Sequence, residues 1–310
     1  MSVKLLQLCP VLPATQTVLD ANYTVLRMPS AAGDEWFAEH AGDIEAVVTG
    51  GHLGIETSLA ERLPKLRIVA INGVGYDRID LDAMRRLDVR VTNTPDVLTD
   101  DVADLAIALM LNAMRGLPAV ERHVREGRWP AAQPALTRRA SGLRYGIVGM
   151  GRIGQAIAQR LSGFGGSIAY TGPSRKAVPY DYHADLRSLA AASDVLFLAS
   201  PASAATRGII DRGVLDALGP QGVLVNIARG SIVDEPALVD ALVERRLGGA
   251  GLDVFENEPH VPAALLDLPH VALAPHVGSA TVETRHAMGQ LMLDNLERFF
   301  AGEALLTPVV

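Results

Sequence analysis

Two features of this sequence have residue types and spacing suited to chemistry. The first is the run GIVGMGRIGQAIAQRL, which sets Gly149, Gly151 and Gly154 in G-x-G-x-x-G spacing between an apolar strand-like stretch, YGIV, and a strong helix former. In that context the first glycine turns the chain and the second lets backbone approach a diphosphate. The third lets the helix pack closely on the strand, and the anion meets the positive helix end. A carboxylate usually closes the next strand, where it holds a ribose 2′-hydroxyl. Here the stretch YTGPSRK offers Gly172, then Ser174, Arg175 and Lys176. A missing acid with a hydroxyl and two cations in its place suits a 2′-phosphate, so NADP(H) is expected in preference to NAD(H). The plain alternative is a solvated basic loop. The second feature is a set of polar residues that directly follow apolar runs: Arg229 in NIARGSIVDEPAL, Asp253, Glu256 and Glu258 in GLDVFENEP, and His276 in LAPHVGSAT. The carboxyl ends of strands are where an open α/β sheet places its ligands.

These residues need a scaffold, and the chain supplies one twice. VKLLQL, YTVLRM, EAVVTG, LRIVAING and VRVTNT read as strands in the first hundred residues, with SLAERLP and DLDAMRRL as helices between them. A second series, RYGIVGMG, SIAYTG, DVLFLAS, GVLVNIA, GAGLDVF and HVALAPH, is near-continuously apolar, as in strands buried on both faces. Between the series, residues 99–129 read as one or two long helices, capped by Thr99 or Asp100 and broken at Gly116 and Pro118. TVETRHAMGQLMLDNLERFFAG reads as a last helix ending at Gly302, which returns to the first lobe. The expected fold class is α/β: two Rossmann-like, doubly wound parallel-sheet domains with the active site in the cleft between them. Residues 99–275 form the dinucleotide-binding domain, and residues 1–98 with 276–310 form the substrate-binding domain.

Bulk properties narrow the function. A chain of 310 residues is long for one core. A formal charge of −7 argues against nucleic acid as a partner, since such binding needs a broad basic surface. Cys9 is the single cysteine, so neither an intrachain disulfide nor a cysteine-based zinc site can form, and no H-x-x-x-H or carboxylate cluster suggests a metal. The first residues, MSVKLLQLCPVLP, lack a signal-peptide pattern, and no apolar run reaches a membrane span. A cytoplasmic location without membrane partners is expected.

The motifs GVGYDRID, NTPDVLTDDVADLA, GMGRIG, NIARGSIVDEPALVDAL, GAGLDVFENEP and PHVGSATVETR occur in order. Together they make the sequence resemble the D-isomer-specific 2-hydroxyacid dehydrogenase family almost end to end. Within it the glyoxylate/hydroxypyruvate reductases, including plant hydroxyphenylpyruvate reductases, are most similar. The resemblance implies Arg229, Glu258 and His276 as catalytic residues, and Asp253 near the nicotinamide carboxamide. It implies a dinucleotide set of Gly149, Gly151, Arg152, Ile153, Gly154, Ser174, Arg175, Lys176, Ser200, Pro201, Ile227, Arg229, Asp253, His276, Gly278 and Ser279. It implies a substrate set of Leu53, Gly73, Val74, Gly75, Arg229 and His276, in which the Val74 and Gly75 N–H groups take the substrate carboxylate. Tyr76 and Arg285 are further pocket candidates. Trp129 lies on a segment that reaches a partner subunit in such homodimers, here expected through the helix after Thr99.

Elementary chemistry agrees with those roles. Reducing a 2-keto acid puts hydride on carbon and a proton on oxygen. An imidazole, titrating near about pH 6.5 when unperturbed, can give that proton. A carboxylate beside it favours the imidazolium and fixes the ring. A guanidinium keeps its protons and can stabilise a developing alkoxide. Taken singly, His276 reads as well as a cap or core residue, Arg229 as a surface ion-pair partner, and Asp253 as a hydrogen-bond acceptor for nearby backbone. Glu256 and Glu258 compete for one role. The expected reaction is NADPH-dependent reduction of glyoxylate and hydroxypyruvate to glycolate and D-glycerate, with His276 as proton donor. An aryl-pyruvate reductase, a broad NAD-linked D-2-hydroxyacid dehydrogenase and a dinucleotide-sensing corepressor are the alternatives. Gly166 departs from the family, which often has a larger apolar residue there.

Overall fold

The computed structural model describes residues 2–29 and 33–310. The chain divides into two compact units: Thr99–Gly278 is one, and the other runs up to Leu98 and resumes at Ser279–Val310. The second division, expected before His276, falls after Gly278. Backbone N–H groups of His276, Val277 and Gly278 are all bound to Asp253, which ties this segment to the strand before it.

The outer unit begins with β1 (Lys4–Gln7), α1 (Pro13–Asn22), β2 (Thr24–Arg27), α2 (Asp34–His40), β3 (Ile44–Gly50), α3 (Thr57–Glu61), β4 (Ile68–Asn72), α4 (Leu81–Arg86) and β5 (Arg90–Thr92). Its strands pair in parallel in the order β2-β1-β3-β4-β5, so the winding reverses between β1 and β3. Alternate residues of β3 and β4 enter two separate cores: Val47 and Val69 pack with Leu63 and Met84 on one face, and Val48 and Ala70 pack on the other. Such a sheet is covered on both sides, which explains strands that read as unbroken apolar runs.

The inserted unit contains α5 (Thr99–Arg115), α6 (Leu117–Arg125), β6 (Leu143–Val148), α7 (Arg152–Leu161), β7 (Gly166–Thr171), β8 (Asp181–Tyr182), α8 (Leu186–Ala191), β9 (Val195–Leu198), α9 (Arg212–Leu218), β10 (Val223–Asn226), α10 (Glu235–Val243), β11 (Gly249–Leu252) and β12 (Val271–Leu273). Its seven strands are parallel in the order β12-β11-β10-β9-β6-β7-β8, with the reversal between β6 and β9. The two-residue β8 has no strand signal in the sequence. The long apolar stretch resolves into two helices, broken at Gly116 in the left-handed region. Asp100 lies inside the first turn of α5 rather than capping it, and with Asp104 it pairs with Arg160 of α7. α5 is a core helix of this unit, its Leu109 lying against Gly251 of β11.

The last helix, α11 (Val282–Ala301), ends at Gly302 in a left-handed cap and packs Met292, Leu293 and Leu296 into the outer unit's second core. Side chains of Asp80, Asp185, Asp211, Asp234 and Thr281 accept from backbone N–H groups at helix starts, each contributing about 1 kcal/mol. Among the described residues no single helix is long and apolar enough to cross a membrane.

The backbone at Gly166 leaves no room for a side chain. Its φ is +89°, and a Cβ there would stand 2.0 Å from the Leu143 carbonyl oxygen on the neighbouring strand. A side chain at this position costs both left-handed strain and backbone displacement. Gly166→Ala is predicted to destabilise the protein by about 2–4 kcal/mol, read as a lowered urea midpoint with an unchanged m-value. An unmoved midpoint would show that the strand start relaxes freely.

Candidate active site

In the inserted unit the polar residues singled out by sequence lie on loops at the carboxyl ends of β6, β7, β9, β10, β11 and β12. The glycine run joins β6 to α7. Gly149 has φ +98° and lies against the Ser200 backbone; a Cβ on Gly154 would stand 2.0 Å from the Gly149 carbonyl oxygen. Gly151 opens α7 with nothing within 4 Å of an added Cβ and no side-chain cap. The turn therefore leaves room for a diphosphate over the first-turn N–H groups, a geometry that fits a dinucleotide. Arg152 is exposed, Ile153 is half-buried, and Ser200 and Pro201 follow β9 beside this turn.

The loop after β7 carries Ser174, Arg175 and Lys176, all exposed, with no acid at its start. Two tyrosines hold its course. The Lys176 N–H donates to the Tyr170 hydroxyl at 2.6 Å, and the Tyr182 hydroxyl donates to the Gly172 carbonyl at 3.0 Å. Sequence reasoning missed both tyrosines; their aromatic character reads as core, and Tyr170 is indeed fully buried.

Arg229 follows β10 on a turn held by Asn226, which is 1% exposed. The Asn226 amide donates to the Arg229 carbonyl at 2.9 Å and accepts from the Ala228 N–H at 3.0 Å. Ile227 is buried in that turn. Arg229 itself is half-buried, and its guanidinium donates to the Ala228 carbonyl at 2.7 Å.

Asp253, Glu258 and His276 form one connected group. The Glu258 carboxylate accepts from His276 Nδ1 at 2.7 Å and, with its other oxygen, from the Phe255 N–H at 3.0 Å. Burial pushes the Glu258 carboxyl up, but the His276 and Phe255 hydrogen bonds and the nearby His276 and Arg229 charges outweigh it and hold the carboxyl below its usual range. Glu256 turns elsewhere: it pairs with Arg207, and its N–H donates to Glu235. Asp253 is 1% exposed, and its two oxygens accept from the Val277 and Gly278 N–H groups at 2.8 and 2.9 Å. Burial is the larger influence on it and raises its pKa despite those bonds. His276 sits at φ +53°, a left-handed conformation uncommon for a residue with a side chain. The turn that follows it, clamped to Asp253, sustains that conformation. The geometry fixes Nδ1 on Glu258, so the transferable proton belongs to Nε2.

In the outer unit Gly73, Val74 and Gly75 follow β4, and Leu53 lies on the loop after β3. Leu53 and Tyr76 are 48% and 42% exposed. Ser279 and Arg285 belong to this unit, Arg285 near Cys9. A cavity of about 560 Å³, lined in part by Arg122, His123, Arg138 and His270, lies at the opposite, amino ends of β10, β11 and β12 and contains none of these residues. Among the described residues no group of three His, Cys, Asp or Glu side chains could hold a metal ion.

Known proteins resemble this chain along its whole length. Residues 107–278 match the family model described as D-isomer specific 2-hydroxyacid dehydrogenase, NAD binding domain. The chain is 48% identical over 311 aligned positions to hydroxyphenylpyruvate reductase of Plectranthus scutellarioides, covering 100% of this chain and 99% of that one. It is equally similar, at 48% with the same coverage, to glyoxylate/hydroxypyruvate reductase A of Arabidopsis thaliana. Among solved structures, the NADPH-dependent glyoxylate/hydroxypyruvate reductase of Sinorhizobium meliloti, in complex with NADP and malonate, superposes with a TM-score of 0.93. That structure is 42% identical, covering 100% of this chain and 97% of its own. A nicotinamide dinucleotide is therefore the cofactor of the fingerprint, and the end-to-end identity together with the matched domain places this chain in the D-isomer specific 2-hydroxyacid dehydrogenase family.

Proposed function

We propose that this chain reduces small 2-keto acids, glyoxylate and hydroxypyruvate foremost, to glycolate and D-glycerate with NADPH. The observation that carries the reading is the 2.7 Å contact between Glu258 and His276 on the turn clamped by Asp253. It provides an oriented acid at the end of a strand in a nucleotide-binding unit. Bound at the fingerprint, the nicotinamide supplies the hydride. His276 Nε2 gives the proton to the carbonyl oxygen, and Arg229 stabilises the negative charge that develops there. The Val74 and Gly75 N–H groups take the carboxylate, and Leu53 and Tyr76 flank the substituent. Ser174, Arg175 and Lys176 bind the 2′-phosphate; support for this comes from the tyrosine-held loop and the NADPH-dependent Sinorhizobium relative. A second reading, reduction of aryl-pyruvates, is favoured by the 48% identity to hydroxyphenylpyruvate reductase.

The assembly proposed is a homodimer formed through α5 and the segment after it, where Leu117, Val124, Trp129 and Leu136 are exposed. A reducing, cytoplasmic setting goes with the single buried cysteine, whose pKa burial raises to about 11.

Four outcomes test the reading. NADPH consumption with glyoxylate, hydroxypyruvate and hydroxyphenylpyruvate in parallel should show turnover and name the preferred acid. No turnover on any of them would remove the proposal. Replacing Arg175 and Lys176 by alanine should lower kcat/KM for NADPH by about tenfold to a hundredfold per cation while sparing NADH; equal losses with both cofactors would point to a solvated loop. His276→Ala should cut kcat by about 10²- to 10⁴-fold. Glu258→Gln leaves an acceptor beside His276 Nδ1 but removes its charge, and should lower kcat by about tenfold or more while leaving NADPH affinity within twofold of wild type. An unchanged kcat would separate Glu258 from the proton donor.

A further inference from the structure

The outer unit's loop Gly73–Gly75 is held by a chain of hydrogen bonds that starts at the far end of the sequence. In α11, Asn295 is fully buried and uses its whole amide. It donates to the Leu291 carbonyl at 2.8 Å and to the Thr307 hydroxyl at 2.9 Å, and it accepts from the Leu306 and Thr307 N–H groups at 3.0 and 3.1 Å. The Thr307 hydroxyl donates to the Asn93 carbonyl at 2.6 Å. The Asn93 side chain then donates to the Val74 carbonyl at 2.8 Å. The tail is further tied to β5, with the Val309 N–H on the Val91 carbonyl at 2.7 Å and Arg90 Nε on the Val310 carbonyl at 2.9 Å.

Peptide geometry gives this chain of bonds a consequence. In a trans peptide the C=O of one residue and the N–H of the next lie in one plane and point in opposite directions. Fixing the Val74 carbonyl through Asn93 therefore aims the Gly75 N–H. The Gly73 carbonyl is likewise held, by the Thr94 N–H at 2.8 Å, and this aims the Val74 N–H. Both peptide planes are oriented from behind, by groups on the stretch after β5.

We propose that Asn93, Thr307 and Asn295 are positioning residues for keto-acid binding, acting through the Val74–Gly75 peptide and setting affinity for the substrate carboxylate rather than the rate of hydride transfer. The proposal rests on the reading of Val74 and Gly75 as the carboxylate donors. Thr307→Val removes the hydroxyl and keeps the shape; Thr307→Ser restores it. Thr307→Val should speed amide hydrogen exchange at residues 73–75 and raise KM for glyoxylate by about threefold to tenfold, with kcat and NADPH affinity within twofold of wild type. Thr307→Ser should return both to wild-type values. Should Thr307→Val fail to fold, Asn93→Ala cuts the same chain at its other end, away from α11. A merely structural tail would lower the melting temperature and leave KM in place. Unchanged exchange at residues 73–75 would overturn the relay. Faster exchange with unmoved KM would overturn the carboxylate assignment while leaving the relay standing. If the wild type turns over no keto acid, the exchange arm alone still decides whether the relay holds the loop.

Discussion

The conformation of the inserted unit's His276 turn depends on one buried carboxylate. Asp253 closes β11 with 1% exposure, and it is bound through both oxygens to the two residues after His276. Its backbone carbonyl takes the His276 N–H as well, at 2.8 Å. Three hydrogen bonds from consecutive residues to one aspartate leave the chain little choice at His276, which turns through φ +53°. The ring then arrives within 2.7 Å of Glu258, which another short loop has already anchored to the Phe255 N–H. A left-handed residue with a side chain and an aspartate pushed toward protonation are both unfavourable locally, and their coincidence at one turn is the pattern expected of a site whose geometry matters more than its stability.

The two units solve the same problem by the same means. Each is a parallel sheet buried on both faces, and each carries its proposed site residues on loops just past the strand ends. Loops of that kind are held by polar side chains at or just past the ends of the strands. Asn226 clamps the turn that carries Arg229, Asn93 clamps Val74, and Tyr170 and Tyr182 hold the loop with Arg175 and Lys176. A buried polar group that loses its partner costs about 1–3 kcal/mol, so a misplaced loop is penalised at once. In the proposed reaction, preorganisation of this sort lets backbone N–H groups and a single imidazole serve as reagents.

Much of this architecture is legible in the amino-acid order. Among the described residues, eleven of the twelve strands coincide with apolar runs, because strands buried on both faces have little need of polar residues. The strand-end positions of Arg229, Asp253, Glu258 and His276 follow from the same punctuation. β8 was invisible since two residues carry no periodicity. The competition between Glu256 and Glu258 could not be resolved locally either: the partners that draw Glu256 away, Arg207 and Glu235, are 49 and 21 residues distant. Asn93 and Thr307, 214 residues apart, show no sign of each other in the sequence. Polar residues that act by holding other residues look like ordinary loop residues until the fold brings their partners to them.

The most direct test of this account is the single-turnover rate of NADPH oxidation by glyoxylate in Asp253→Asn. The amide keeps one acceptor and loses the other, so one of the two clamped N–H groups is released and His276 is no longer held over Glu258. The account predicts a hydride-transfer rate reduced by about a hundredfold or more, with stability lowered by no more than about 1–3 kcal/mol, the cost of one released N–H. A variant that transfers hydride at the wild-type rate would show that the turn after His276 holds itself, and that Asp253 is not the constraint on which the site depends.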